Sequence, residues 1–132
     1  MKTIAVIPAR YQSSRFPGKP LSDLCGYPMI WWVYNQVKKV NNIESVYVAT
    51  DDQRILEVCK QYDLNAVMTR SDHGTSTERV YEVAKKIPAD LYVVINGDEP
   101  LIDPNIIKAV IPQDKPDSNF YVSNLMTEIK SP

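Results

Sequence analysis

The chain has 132 residues, a length typical of one domain that buries its own hydrophobic core. Apolar residues make up 44% and charged residues 23%, and the net charge of −1 gives no support for a nucleic-acid-binding or membrane-binding surface. Cys25 and Cys59 lack metal-site spacing and are expected to be reduced thiols in a cytoplasmic protein. We expect no signal peptide, and no apolar run approaches the ~20 residues needed to cross a bilayer.

Strand and helix patterns alternate along the chain with short loops between them. The predicted strands are residues 4–7, 44–50, 65–69 and 90–96, and residues 119–126 are the candidate for a fifth strand. The predicted helices are residues 28–39, a segment that Asp51 or Asp52 can cap, a segment that begins near residues 75–77, and residues 104–110. This alternation predicts an α/β fold with a doubly wound, mainly parallel sheet. The whole chain, residues 1–132, is interpreted as one nucleotide-binding domain that is interrupted at its carboxyl end, where no cap, strand or amphipathic helix closes it.

The loop after the first strand is the main candidate for a functional site. It contains the cations Arg10, Arg15 and Lys19, with Ser13 and Ser14 between them. In open α/β sheets, ligands bind in the crevice outside the carboxyl ends of the strands. Ordinary surface charges are the alternative, but three cations and two hydroxyls in one such loop favour a triphosphate site.

Neither of the two common phosphate-binding motifs explains this loop. Ser13 stands where the first glycine of G-x-x-x-x-G-K-[ST] belongs, and Gly18 is the only glycine between residues 1 and 25, which excludes G-x-G-x-x-G. A dehydrogenase-type cofactor domain is therefore disfavoured. Without glycines the backbone cannot wrap a phosphate closely, so side-chain cations must contribute more.

A second candidate follows the strongly apolar strand at residues 90–96, as Gly-Asp-Glu-Pro at residues 97–100. Two adjacent carboxylates at a strand end repel each other unless a cation lies nearby, and Mg²⁺ prefers one or two carboxylates plus phosphate oxygens and waters. Asp98 is therefore the candidate metal ligand. The alternative is a simple turn with a solvent-facing glutamate.

The third candidate is the polar loop at residues 70–79, which enters a helix whose free N–H groups favour an anion or a polar ligand. Simple capping is the alternative. His73, the only histidine, is expected to be a loop hydrogen-bonder and not a catalyst, and residues 51 and 52 are interpreted as a helix cap. No Ser-His-Asp set, zinc spacing or glycosidase-like carboxylate pair is present, so the combination favours nucleotidyl or phosphoryl transfer.

These segments closely resemble the 3-deoxy-manno-octulosonate cytidylyltransferases, also called CMP-KDO synthetases. The matching stretches are residues 7–21 (IPARYQSSRFPGKPL), 48–52 (VATDD), 68–73 (MTRSDH) with 77–79 (TER), and 97–100 (GDEP). The related acylneuraminate cytidylyltransferases have a more glycine-rich opening loop and fit less well.

The resemblance implies a Rossmann-like three-layer sandwich of the nucleotide-diphospho-sugar transferase type and transfer of CMP from CTP to a 3-deoxy-ulosonic acid, with Mg²⁺ and release of pyrophosphate. It implies that the complete protein is a homodimer without nucleic-acid or membrane partners. Carried over by position, the implied nucleotide-binding residues are Ala9, Arg10, Ser13, Arg15, Lys19, Arg70 and Asn96. The implied catalytic residues are Arg10, Lys19 and Asp98, and Asp98 is also the implied metal ligand.

Two departures from the family pattern concern the sugar more than the reaction. Residues 74–76 are Gly-Thr-Ser where the family usually has Gln-Ser-Gly, and Asn96 stands where it usually has Gln. Family members are also longer, so the chain resembles an amino-terminal portion that we expect to bind CTP weakly and turn over poorly. Activation of a related nonulosonic acid and a non-catalytic CTP-binding module are the alternatives.

Overall fold

The computed structural model describes residues 2–11, 19–69, 76–95, 103–109 and 122–124. The strands are β1 (Thr3–Ala9), β2 (Asp23–Leu24), β3 (Tyr27–Pro28), β4 (Ser45–Thr50), β5 (Ala66–Met68), β6 (Leu91–Val94) and β7 (Val122–Asn124). The helices are α1 (Met29–Lys38), α2 (Gln53–Gln61), α3 (Ser76–Lys86) and α4 (Pro104–Ala109), with a short 3₁₀ helix at Lys19–Leu21.

Five strands form one sheet in the order β5-β4-β1-β6-β7, and every neighbouring pair is parallel. Strand β1 lies in the centre, where Ala9 pairs with Thr50 of β4 and Val6 pairs with Val94 of β6. From β1 the chain adds β4 and β5 on one side, then returns through α3 to add β6 on the other. The direction of strand addition therefore reverses between β1 and β6, which creates a crevice at their carboxyl ends.

Side chains of β1 alternate between two hydrophobic clusters, as the two-residue period of a strand requires. Ala5, Ile7 and Ala9 face a cluster that contains buried residues of α1, α2 and α4. Ile4 and Val6 face a second cluster that contains residues of α3. Helices thus cover both faces of the sheet. This three-layer arrangement confirms the predicted fold class.

Helix α1 illustrates how the sequence pattern produces the packing. Its buried residues are Ile30, Val33, Tyr34 and Val37, which recur with the helical spacing that places them on one face. Pro28 occupies the cap position with extended backbone, so the missing N–H of proline costs the helix nothing. The predicted helix at residues 28–39 is therefore confirmed.

A small hairpin of β2 and β3, which the sequence patterns did not predict, lies between the opening loop and α1. Its two-residue turn has positive φ at Cys25 (53°) and Gly26 (91°), the backbone that tight hairpins require. Two contacts join the hairpin to α1. The Trp32 indole N–H donates to the Leu24 carbonyl at 2.8 Å, and the Tyr27 ring stacks on the Trp31 ring with 4.0 Å between the ring centroids. Two-residue strands have no periodic signal, which explains why the hairpin was missed.

Within the described part of the chain, none of the helices has both the length and the apolar character needed to traverse a bilayer.

Candidate nucleotide-binding site

Two of the three candidate segments start at the carboxyl ends of β1 and β6. Ala9 is the last residue of β1 and is almost fully buried, and Arg10 follows it with an exposed side chain. On the other side of the crevice, the Ile95 N–H donates to the Val6 carbonyl at 3.0 Å, so the chain leaves β6 directly beside β1. The opening loop and the Gly-Asp-Glu-Pro segment therefore start at the same edge of the sheet.

Several predicted site residues lie outside the described residues: Ser13, Arg15, Arg70, His73, Asn96 and Asp98. Of Lys19 only the backbone is described, at the start of the 3₁₀ helix. Among the described residues, no three His, Cys, Asp or Glu side chains group together as a metal site. The structure thus places Ala9, Arg10 and the starting point of the acidic segment, and the roles of all the candidate site residues stay predictions.

Asp52 is the cap of α2, as one of the two alternatives from the sequence predicted. Its carboxylate accepts from the Arg54 backbone N–H at 2.8 Å and from the Arg54 side chain at 3.0 Å (Nε) and 2.8 Å (Nη2). The hydrogen bond from the Arg54 side chain is the main cause that lowers the pKa of Asp52. The same pairing raises the pKa of Arg54. A face of this guanidinium lies over the Tyr11 ring, with Cζ 3.2 Å from the ring centroid.

Arg79 of α3 is a buried cation that joins α3 to the carboxyl ends of two strands. Its side chain is only 2% exposed. One nitrogen, Nη1, donates to the Thr69 hydroxyl, and Nη2 lies 3.7 Å from the Asp51 carboxylate. Thr69 directly precedes Arg70, the residue predicted to contact the base. The hydrogen bond from Arg79 therefore holds the residue to which Arg70 is attached.

Cys59 does not offer a catalytic nucleophile. Cys59 is fully buried in the core, and burial raises the pKa of its thiol to about 11. Cys25 is exposed at the hairpin turn. A buried thiol of such high pKa carries almost no thiolate at neutral pH, so its role is packing.

Sequence reasoning missed Arg54 and considered Arg79 only as part of a possible helix cap and of a stretch that resembles the family. For Arg54 the available signal is its position two residues after Asp52, a predicted helix cap. A capping aspartate can accept hydrogen bonds from both the backbone and the side chain of an arginine at that position. For Arg79 the signal is its position next to Val80 on the inward face of an amphipathic helix.

Comparison with known proteins identifies the family. Residues 4–132 match the family model described as cytidylyltransferase. The chain belongs to the cytidylyltransferase family.

Individual relatives have more specific names than the family model. The chain is 45% identical to the 3-deoxy-manno-octulosonate cytidylyltransferase of Trichlorobacter lovleyi, over 98% of this chain and 52% of the relative. It is 42% identical to the Escherichia coli protein of the same name, over 98% of this chain and 53% of the relative. These relatives confirm the resemblance found in the sequence. The chain spans about half the length of the curated relatives it matches.

Solved structures of cytidylyltransferases share the fold. A structure of CMP:2-keto-3-deoxy-manno-octonic acid synthetase complexed with CTP is 45% identical with a TM-score of 0.82, over 83% of this chain and 46% of that one. A cytidylyltransferase from Leptospira borgpetersenii is 26% identical with a TM-score of 0.72, over 83% of this chain and 47% of that one.

Proposed function

We propose that this chain is the CTP-binding half of a cytidylyltransferase that makes a CMP-sugar from CTP and a 3-deoxy-ulosonic acid, most simply KDO, for cell-surface polysaccharide or lipopolysaccharide synthesis. The observation that carries the proposal is the 45% identity and shared fold with a synthetase whose structure contains CTP. The crevice between β1 and β6 supports it, since the cationic loop and the acidic segment both start there.

In this proposal the opening loop binds the triphosphate. The Arg10 and Arg15 guanidinium groups and the Lys19 ammonium group hold the phosphate oxygens and stabilise the charge that develops on the leaving pyrophosphate, with the Ser13 hydroxyl as a further donor. The anomeric hydroxyl of the sugar acid attacks the α-phosphorus. A bond forms between that oxygen and the α-phosphorus as the bond from the α-phosphorus to the oxygen bridging to the β-phosphate breaks; pyrophosphate leaves with the bridging oxygen, and the hydroxyl proton is released to water.

The base and the sugar would be recognised beside the triphosphate. The Ala9 backbone and Arg70 face the cytosine, and Asn96 contacts the nucleotide or the sugar. Ala9 is suited to a backbone contact because it ends the central strand and is fixed by pairing with Thr50. The complete protein is proposed to act as a homodimer.

The acidic segment fits a divalent cation, which we propose is Mg²⁺. Asp98 supplies a hard oxygen donor, and the Ile95 hydrogen bond to Val6 starts this segment beside the loop that would hold the phosphates. Bound Mg²⁺ would neutralise triphosphate charge and favour departure of pyrophosphate. Asp98 would hold the cation and so restrict the orientation of the triphosphate.

Calorimetry with the four ribonucleoside triphosphates in Mg²⁺ tests the proposal. We expect CTP to bind at least about tenfold more tightly than ATP, GTP or UTP, a difference of ~1.4 kcal/mol. Arg10→Gln should weaken CTP binding, whereas Lys60→Gln, at an exposed cation on α2, should not. Equal affinity for all four nucleotides would contradict the base assignment.

A non-catalytic CTP-binding module is the second candidate, because the cations of the opening loop suit nucleotide binding whether or not transfer follows. In the complete protein, Asp98→Ala should abolish metal-dependent pyrophosphate release in the presence of KDO if the protein is the enzyme. A module that only binds CTP should release no pyrophosphate even before substitution. Robust turnover by the 132-residue chain alone would contradict our expectation that it is catalytically incomplete.

A further inference from the structure

We propose that Arg54 is a positioning residue for the nucleotide site, because its guanidinium, fixed by Asp52, holds the Tyr11 ring and thereby the chain that leaves β1 at Arg10. The inference deepens the proposed function and rests on it for the identity of the ligand. Its structural half, that Arg54 fixes Arg10 and Tyr11, can be tested without any nucleotide.

The first step is that the Arg54 side chain has a fixed orientation although it is 56% exposed. Its two hydrogen bonds to the Asp52 carboxylate, at 3.0 and 2.8 Å, use the planar fork of the guanidinium and restrict its rotation. Asp52 is itself anchored, because its backbone N–H donates to the Thr50 hydroxyl at 3.2 Å. Thr50 is fully buried and pairs with Ala9, so the anchor lies next to the end of β1.

The second step is that the Arg54 guanidinium contacts Tyr11, the residue that directly follows Arg10 in the opening loop. Arg54 Cζ lies 3.2 Å from the centroid of the Tyr11 ring, the face-on arrangement in which the ring quadrupole attracts a cation. Tyr11 is half-buried and also packs against the hydrophobic cluster under α1 and α2. The ring is therefore held between the core and a fixed cation.

The third step concerns what this contact does. Tyr11 is covalently adjacent to Arg10, whose side chain is exposed at the crevice. Restricting Tyr11 removes backbone freedom that CTP binding would otherwise have to remove, and such preorganisation raises affinity without any direct contact to the ligand. Arg54 would then act through Tyr11, and not by touching CTP.

The substitution Arg54→Met removes the fork while sparing the helix. The cap of α2 uses the backbone N–H at position 54, which the substitution keeps. Arg54→Lys retains the charge without the planar fork and should recover only part of the effect. Tyr11→Phe keeps the ring, and Tyr11→Leu removes it. Lys60→Met, at an exposed cation on the same helix, is the matched control.

The ligand-free chain is first tested by limited trypsin digestion, with the Arg10–Tyr11 cut followed by mass spectrometry. We expect Arg54→Met and Tyr11→Leu each to speed this cut about 2- to 5-fold, the factor that corresponds to an exposed cation–π contact, and the double variant to be no faster. Lys60→Met should match the unsubstituted chain, and Tyr11→Phe, which keeps the ring but loses a hydroxyl that also interacts with Arg54, should fall between the unsubstituted chain and Tyr11→Leu. Unchanged cleavage, or effects that multiply in the double variant, would overturn the inference.

Calorimetry with CTP and Mg²⁺ on the same variants tests the functional half. The two single variants and the double variant should each weaken CTP binding by the same factor of about 2 to 5. Faster cleavage with unchanged CTP affinity would overturn Arg54 as a positioning residue for this site. If the unsubstituted chain fails to bind CTP, the proposed function is wrong, and the cleavage result alone then decides whether Arg54 fixes Arg10 and Tyr11.

Discussion

Replacement of the buried Arg79 by alanine should lower the free energy of unfolding by about 3–5 kcal/mol. Arg79→Ala removes the 3.7 Å ion pair with Asp51 and the hydrogen bond to Thr69, and losing one partner of a buried pair has a cost of this size. It also empties the volume of one of the largest fully buried side chains. Asp51 keeps some access to water, with 20% of its side chain exposed, which limits the penalty on the partner that is left.

A companion variant separates the lost volume from the lost polar contacts. Arg79→Met fills most of the space but leaves the buried Thr69 hydroxyl without this donor, an effect of about 1–3 kcal/mol. We therefore expect Arg79→Met to be more stable than Arg79→Ala by roughly 2 kcal/mol, the cavity contribution.

Urea unfolding followed by tryptophan fluorescence measures both changes. With a denaturant dependence of about 2 kcal/mol per M urea, Arg79→Ala should lower the unfolding midpoint by roughly 2 M. Lys85→Ala, at an exposed cation on the same helix, should stay within about 0.5 kcal/mol of the unsubstituted chain. A loss below about 1 kcal/mol for Arg79→Ala would refute the argument, since the contacts of Arg79 with Asp51 and Thr69 would then contribute far less to stability than a buried pair should.

Three further expectations concern titratable groups and one hydrogen bond. Burial raises the pKa of Cys59 to about 11 from an ordinary value of 9.0, so the protonated thiol should stabilise the fold fully below pH 9, and this contribution should be lost as pH rises through 11. In urea unfolding, the free energy of unfolding should therefore fall between pH 9 and pH 11 by up to ~2.7 kcal/mol less in Cys59→Ala than in the unsubstituted chain. The lowered pKa of Asp52 gives the opposite sign, so the stability advantage over Asp52→Ala, about 1 kcal/mol near pH 7, should shrink as pH falls below about 4. Tyr34→Phe removes the oxygen that accepts from the Asn65 N–H at 3.3 Å and should lower stability by about 0.5–1.5 kcal/mol in thermal unfolding; no change would mean that water replaces this bond.

Much of the fold could be predicted because its elements carry strong local signals. Buried parallel strands such as β6 are continuous apolar runs, and α1 shows helical spacing, so the type of each was evident from the sequence. Strand order is not a local property. That β6 pairs with β1 and not with β5 depends on α3 packing on the opposite face of the sheet, through contacts between residues distant in the chain.

The candidate site also has parts that the sequence indicates and parts that it does not. Arg10 and Asp98 could be proposed from the sequence because each follows an apolar strand, and ligands in α/β sheets bind at such strand ends; their roles stay predictions. The contact between Arg54 and Tyr11 was not predictable, because neither residue carries a signal for the other and only the pairing of β1 with β4 brings them together. The burial of Arg79 contradicts the usual preference of arginine for the surface, and its acidic and hydroxyl partners at two strand ends account for it.

The central position of β1 has a consequence for synthesis on the ribosome. Its second edge stays unpaired until β6 emerges, and the bond from the Lys2 N–H to the Asp90 carboxylate joins residues 88 positions apart. At bacterial and eukaryotic elongation rates this gap lasts roughly 4 to 18 seconds. For that time the chain exposes an apolar strand with open backbone donors and acceptors, the kind of edge from which aggregation starts. Nascent chains of this protein should therefore depend on chaperones most strongly before residue 95 has been translated.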